Sequence, residues 1–273
     1  MGWFIDTRSF IVKLPDDKYL AYSKQVKEIL KAGRVEDKNL QNIIGRLQSS
    51  SYVVPHSKYF LNRLRSLQRV TTRTKYANIP ISTKVDLELW LKFLSHAYTG
   101  TNIKNLVYRK PTQFCWADSC PFGLGGYSSS GNAWRFYIPP SLRSEHTNNV
   151  LEFMAIIVTI WLDTIKGTAT PLLCYLACSD SISTVGWLHR TNFQSATQPI
   201  HEDCARKIAN IMMNNKSTLY SQHQTGKHNC IADILSRWFF LNDIELTTFL
   251  LHCYQNQMPT NFHISALPNK TSS

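Results

Sequence analysis

The hydrophobic pattern of the chain changes near residue 110. Before that point, apolar residues recur three or four positions apart, which is the spacing of helices with one buried face. These helices are predicted at 19–32, 37–48, 59–67 and 85–96. A hairpin at 3–13 precedes them, and 100–111 is predicted to be a linker. The first part, 1–110, is therefore predicted to be a small, mostly helical module.

After residue 110, short apolar runs bounded by turn residues predict strands, which then alternate with helices. The predicted strands begin at Gln113, Tyr127, Ala133, Pro171 and Ser217, with a glycine-rich turn before Tyr127. The predicted helices lie at 147–165, 181–189, 202–214 and 230–240. This order predicts an α/β domain with a mixed sheet over 111–240. The rest, 241–273, carries no recognisable motif and is predicted to be a C-terminal extension, disordered from about residue 260.

Charge separates the two parts. Residues 1–110 hold 20 lysines and arginines against 8 acidic residues, whereas 111–273 hold 10 of each, so the net charge of +12 belongs to the first part. A basic surface favours a polyanionic partner such as nucleic acid. The alternative is a solvated basic surface that keeps the protein soluble and binds no polyanion.

Cysteine usage and hydropathy limit where the protein acts. The seven cysteines include no CxxC pair, and Cys174 and Cys178 have no histidine at zinc-finger spacing, which argues against a structural zinc site. An odd number of cysteines without a signal sequence predicts a reduced, intracellular protein, cytoplasmic or nuclear and not secreted. No apolar run is long enough to predict a membrane span, so no membrane partner is expected.

Four carboxylates of the second part stand out by position. Asp118 lies inside an apolar run, Glu152 near the start of a helix, Asp180 at the end of a buried strand, and Asp233 on a late helix. Burying an ionised carboxylate is costly unless it is paired or binds a metal, and hard oxygen ligands suit Mg²⁺ or Mn²⁺. Two such ions support phosphodiester cleavage. The alternative is four unrelated acids, with Asp118 capping a turn.

The segments around these carboxylates carry a family resemblance. They are Trp116-Ala-Asp-Ser119 with Gly125-Gly-Tyr127, Thr147-Asn-Asn-Val-Leu-Glu152, Ala177-Cys-Ser-Asp180-Ser181, and His223 to Arg237. Together they resemble type 1 ribonuclease H, in the form attached to retroelement reverse transcriptases of the DIRS and Ty3 groups. The resemblance implies a ribonuclease H-like mixed five-stranded sheet with flanking helices over 111–240.

The resemblance also implies roles for individual residues. The implied ligands of two Mg²⁺ or Mn²⁺ ions are Asp118, Glu152, Asp180 and Asp233. His223 would assist proton transfer or product release, Asn148 and Asn149 would contact the minor groove of an RNA–DNA hybrid, and Thr147 would contact a DNA phosphate. The alternatives are helix capping by Thr147 or Asn148 and a histidine at a strand end with no catalytic role.

The first module resembles the end of a reverse transcriptase, with thumb helices and a connection. The matching segments are Gly2-Trp-Phe-Ile-Asp6, Leu14-Pro-Asp-Asp-Lys18 and Ile44-Gly-Arg-Leu47. Basic side chains near the third predicted helix suit phosphate contacts; they include Lys58, Arg63 and Arg65. The chain has no Tyr-x-Asp-Asp polymerase motif, so no polymerase activity is expected, and an upstream polymerase part is a candidate partner.

Three functions remain open from the sequence. The first is an endonuclease that cuts the RNA strand of RNA–DNA hybrids. The second is a non-enzymatic nucleic-acid-binding remnant of a retroelement polyprotein. The third is an integrase or transposase, against which Asn148, Asn149, Glu152 and His223 favour ribonuclease H. Carboxyl groups more than about 10 Å apart would exclude the metal-dependent enzyme, because no metal pair could bridge them.

Overall fold

The computed structural model describes residues 2–143, 146–168, 172–188 and 198–268. The chain divides into two compact units, Met1–Arg109 and Lys110–Ser273, at the point where the hydrophobic pattern changes. Three sequence predictions fall on positions outside the described residues: a strand beginning at Pro171, a helix reaching His189, and disorder over 269–273.

The first unit is mostly helical. Its helices are α1 (Asp16–Ala32), α2 (Asp37–Ser50), α3 (Asn62–Thr74) and α4 (Ile81–Thr99), and a 3-10 helix at Pro55–Leu61 precedes α3. Its strands are β1 (Phe4–Asp6), β2 (Ile11–Lys13), β3 (Arg34–Glu36), β4 (Tyr76–Asn78) and β5 (Thr101–Asn102). Trp90 and Phe93 of α4 pack against Phe60, and the Trp90 Nε1 donates to the Phe60 carbonyl at 3.1 Å.

The segment predicted to be a linker is partly built into this first unit. Residues 101–102 form β5, which pairs antiparallel with β2 of the N-terminal hairpin, and a short 3-10 helix follows at Ile103–Asn105. The polar composition of this segment predicted a linker. Polar side chains do not prevent a short edge strand, because the strand is held by hydrogen bonds between the backbone groups of β5 and β2.

The second unit contains a six-stranded mixed sheet. Its strands are β6 (Gln113–Cys120), β7 (Gly123–Ser128), β8 (Asn132–Tyr137), β9 (Cys174–Ser179), β10 (Thr218–His223) and β11 (His263–Ile264). The order is β10-β9-β6-β7-β8-β11. Strands β6, β7 and β8 are antiparallel, while β9 pairs parallel with β6 and with β10. The mixed α/β architecture predicted from the sequence is confirmed, with six strands and not five.

Five helices are described in this unit: α5 (Asn148–Ile165), α6 (Ile182–Trp187), α7 (Gln198–Asn214), α8 (Cys230–Arg237) and α9 (Asp243–Cys253). By length and composition α5 could cross a membrane, yet Ile156 and Ile160 are fully buried in the core of this unit. The apolar character of α5 is therefore that of a central core helix. The core includes Cys115, Ala117 and Tyr175 of the sheet.

The structure differs from the sequence prediction after residue 240. Residues 241–268 contain α9 and β11, and β11 adds a parallel strand beside β8. Leu246, Leu250 and Phe262 are buried in one cluster with Tyr127 of β7. The local pattern of these apolar residues is too weak to predict that they are buried. They are buried because α9 and β11 pack against the sheet, with β11 at its edge beside β8.

The glycine-rich segment after Asp118 is a strand and not the predicted turn, which lies at residues 121–122. A side chain on Gly123 or Gly125 would collide with α8; a Cβ on Gly125 would stand 2.6 Å from the Leu235 backbone. A Cβ on Gly126 would collide with Thr159 of α5. Since neighbouring strand residues point to opposite faces, these glycines let one helix approach each face of β7.

Candidate metal centre

Asp118 is a buried carboxylate on β6. It pairs across the sheet with Gly125, and its side chain accepts a hydrogen bond at Oδ2 from the Ser236 hydroxyl at 2.6 Å. Burial raises the pKa of Asp118 to about 6; the Ser236 hydrogen bond opposes this rise, and the negative charge of Asp180 adds to it. The site therefore disfavours the ionised form of Asp118 unless a positive charge is supplied.

Glu152 lies in the second turn of α5 and is 8% exposed. Its Oε1 accepts a hydrogen bond from the Asn148 side-chain amide at 3.0 Å. Its Oε2 is buried, and within the described part of the chain no hydrogen bond reaches it. Burial raises the pKa of Glu152 to about 7, the charges of Asp180 and Asp118 add to the rise, and the Ser181 hydroxyl opposes it.

Asp180 directly follows β9 and completes a group of three carboxylates. One carboxylate oxygen from each of Asp118, Glu152 and Asp180 lies within 4.8 Å of the other two. Strands β6 and β9 are parallel neighbours, with Trp116 paired to Cys178, so their carboxyl ends bring Asp118 and Asp180 to the same edge of the sheet. The structure thus brings together three of the four predicted ligands.

The fourth predicted ligand, Asp233, lies outside this group in the described structure. Its carboxylate forms an ion pair with Arg237 one turn further along α8, at 2.5 Å, and both side chains are 46% exposed. The charge of Asp233 still contributes to the raised pKa of Asp118. Asp233 is therefore near enough to affect the pKa of Asp118, while its own carboxylate is paired with the Arg237 guanidinium.

His223 lies beside Asp180 at the end of β10. Its exposed ring places Nε2 3.1 Å from the backbone oxygen of Asp180. Because a carbonyl oxygen can only accept, Nε2 carries the proton of this hydrogen bond, and Nδ1 of the neutral ring is left as a proton acceptor. Residue 226 is also close: a Cβ on Gly226 would stand 3.3 Å from Asp180 Oδ2.

The residues expected to contact a hybrid lie at the start of α5. Thr147 is in the N-cap position, and its side chain makes no capping hydrogen bond, so the capping alternative is not observed for it. Asn148 accepts from the Ser119 hydroxyl at 3.1 Å and donates to Glu152, which orients it within the centre. Asn149 is exposed.

The basic residues of the first unit are not equivalent. The side chain of Arg63 is 16% exposed and pairs at 3.1 Å with the buried Asp86, so it joins α3 to α4 and is not presented to a phosphate. Arg65 donates to the Gln48 side chain at 2.8 Å. Lys58 is exposed, with its ammonium group 5.5 Å from the centre of the Tyr52 ring. Arg63 differs from Lys58 because it pairs with a buried acid, Asp86, and the periodicity of the sequence does not reveal such a partner.

A fifth acid, Asp163 of α5, has no place in the sequence prediction. It is fully buried, and its Oδ1 accepts from the Ser128 and Ser130 hydroxyls at 2.7 Å and from the Asn132 amide at 2.8 Å. Its Oδ2 accepts from the Gln113 amide at 2.9 Å. Four donors satisfy this carboxylate, so it anchors the β7–β8 turn and, unlike Glu152, leaves no oxygen for a metal.

The sequence matches no protein-family model and no curated protein. Among solved structures, it is similar to LC11-RNase H1 in complex with an RNA/DNA hybrid, at 21% identity over 46% of this chain and 93% of that chain, with a TM-score of 0.38. It is also similar to a foamy viral protease-reverse transcriptase in two complexes with double-stranded DNA. These show 15% and 13% identity and TM-scores of 0.28 and 0.27, and the match covers 81% of this chain but 37% and 45% of the viral chains.

Proposed function

We propose that the second unit is a divalent-metal-dependent endonuclease that hydrolyses the RNA strand of RNA–DNA hybrids. One observation carries this proposal: three carboxylates from β6, α5 and the end of β9 lie within 4.8 Å of one another. Like charges at this distance repel, and burial of Asp118 and Glu152 adds to the cost. A bound cation removes that cost at neutral pH.

The donor set fits Mg²⁺ or Mn²⁺. All three groups offer carboxylate oxygens, which are the ligands hard divalent cations prefer, and the unpartnered Glu152 Oε2 is buried within the group. Asp118, Glu152 and Asp180 would hold the ion. Asp233 would join a second ion only after leaving its ion pair with Arg237. When bound, such ions supply an activated water and stabilise the leaving oxygen of the phosphodiester.

The protein's own side chains have distinct tasks in this mechanism. Asn148 orients Glu152 through its side-chain amide. His223 is held by the backbone oxygen of Asp180, which leaves Nδ1 exposed to accept or return a proton beside the reacting phosphate. Asn149 and Thr147, both exposed at the start of α5, would contact the hybrid.

The wider context is a proposal of the same kind. The resemblance of both parts to a retroelement reverse transcriptase supports an intracellular protein that acts on replication intermediates, with a polymerase part as partner. The 20 basic against 8 acidic residues of 1–110 support a nucleic-acid partner for the first unit. Of Lys58, Arg63 and Arg65, Lys58 is the exposed one.

The test is cleavage of an RNA–DNA hybrid carrying a label on either strand, in Mg²⁺, in Mn²⁺ and in EDTA. We expect cleavage of the RNA strand alone, with 3′-hydroxyl and 5′-phosphate ends, that requires metal and disappears in Asp118→Asn. Asp203→Asn is the matched control, because Asp203 is an exposed carboxylate outside the centre. Salt-sensitive hybrid binding without any cleavage would refute the enzyme and favour the non-enzymatic remnant; cleavage of double-stranded DNA would favour the transposase class.

A further inference from the structure

Ser236 is a buried hydroxyl on α8 that touches the candidate metal centre directly. It is fully buried, and its Oγ lies 2.6 Å from Asp118 Oδ2. In the described part of the chain it is the one side chain seen to donate a hydrogen bond to Asp118. Neither the proposed mechanism nor the sequence motifs give it a role, although it stands three residues after Asp233.

The contact with Asp118 is not needed to satisfy the serine itself. Its Oγ also lies 2.9 Å from the backbone oxygen of Asp233, the usual acceptor for a helical serine. The hydroxyl has one proton and two acceptors, and the shorter contact is with the carboxylate. A hydrogen bond to the Asp233 backbone oxygen would by itself satisfy the hydroxyl of a buried helical serine. The shorter contact with Asp118 therefore belongs to the metal centre and is not required by the helix.

Contacts from three neighbouring strands fix the position of Ser236. Gly123 of β7 lies against the Ser236 backbone oxygen so closely that no side chain fits between them, and the Cys120 thiol donates to the same oxygen at 3.2 Å. Just beyond α8, Arg135 donates to the backbone oxygens of Trp238 and Leu241, each at 2.7 Å. Several independent contacts therefore hold the end of α8 against the strands.

From this geometry we infer that Ser236 is a positioning residue for the metal centre. Its hydroxyl fixes Oδ2 of Asp118 and so restrains rotation of this carboxylate, one oxygen of which lies within 4.8 Å of a carboxylate oxygen of Glu152 and of Asp180. The inference rests on the proposed function, in that the group so oriented is a metal ligand. A neutral hydroxyl suits this role, because it restrains the Asp118 carboxylate without neutralising its charge, whereas a lysine or arginine would compete with the metal ion for that charge.

The test is Mn²⁺ binding to the full chain, followed by the electron paramagnetic resonance signal of free Mn²⁺. Ser236→Ala removes the hydroxyl with a good helix former, and we expect its Mn²⁺ dissociation constant to rise about tenfold, as is typical when a group that orients a metal ligand is removed. Ser128→Ala is the matched control. Ser128 is equally buried and donates at 2.7 Å to a carboxylate, but that carboxylate is Asp163.

Two further measurements separate the possible failures. Thermal melting checks that both serine variants are folded, and the Mg²⁺ concentration for half-maximal cleavage should rise in Ser236→Ala while the rate at saturating Mg²⁺ changes less. An Mn²⁺ affinity of Ser236→Ala within twofold of the wild type, with binding abolished in Asp118→Asn, would overturn the inference and leave the enzyme standing. Mn²⁺ binding that Asp118→Asn leaves unchanged would overturn both.

Discussion

Replacing Asp118 with asparagine should stabilise the metal-free protein, and more so as the pH rises. Burial raises the pKa of Asp118 from 3.8 to about 6, so folding favours the protonated form. A group with a raised pKa contributes fully to stability below pH 3.8, and this contribution is lost as the pH rises through 6. Asparagine is neutral at every pH and can still accept from Ser236, so the variant avoids this loss.

The magnitude follows from the size of the shift. Two pKa units correspond to about 3 kcal/mol at 1.36 kcal/mol per unit, which is the full cost of the ionised carboxylate near pH 8. Near pH 4 the cost is below about 1 kcal/mol, so the advantage of the variant should grow by about 2 kcal/mol between pH 4 and pH 8. For a unit of this size that corresponds to about 4–8 °C in melting temperature.

The assay is thermal melting in EDTA between pH 4 and pH 8. Asp163→Asn is the control with the opposite sign, because four donors satisfy that buried carboxylate, and its replacement should destabilise the protein throughout. Mg²⁺ at 100 times its dissociation constant should add about 2.7 kcal/mol to the free energy of unfolding of the wild type and so raise its melting temperature. It should not raise the melting temperature of Asp118→Asn. A difference between Asp118→Asn and wild type that does not change with pH would refute the reasoning.

Three other substitutions test the fold around the site. Gly125→Ala places a Cβ 2.6 Å from the Leu235 backbone, so α8 must shift; we expect a loss of about 1–3 kcal/mol in thermal melting and weaker cleavage, and unchanged values would contradict the close packing. Arg63→Ala removes the 3.1 Å ion pair with the buried Asp86 and should lower the free energy of unfolding in urea by about 1.5–3 kcal/mol, whereas a neutral effect would return Arg63 to the phosphate-contact class. His223→Ala should lower the cleavage rate about 100-fold without changing the melting temperature, since its ring is exposed; a wild-type rate would leave it a strand-end histidine.

The local pattern of the sequence was sufficient to locate most helices and strands. The helix predicted at 147–165 is α5, Asn148–Ile165, because a long apolar stretch without glycine or proline satisfies its backbone groups as a helix and buries its apolar sides. The glycines after Asp118 were misleading for the same local reason. Glycine is typical of turns, and only the approach of α8 and α5 to β7 explains why Gly123, Gly125 and Gly126 lie in a strand.

Residue type and local periodicity were enough to indicate which carboxylates could matter and how charge is divided along the chain, because both are properties of neighbouring positions. Which charges meet depends on the packing of the strands and helices. This packing placed Asp118 and Asp180 at one edge through parallel pairing of β6 and β9, and it engaged Asp233 with Arg237. It also brought Ser236 to Asp118 across 118 positions of sequence, since contacts between distant residues depend on how the elements pack and leave no periodic pattern along the chain.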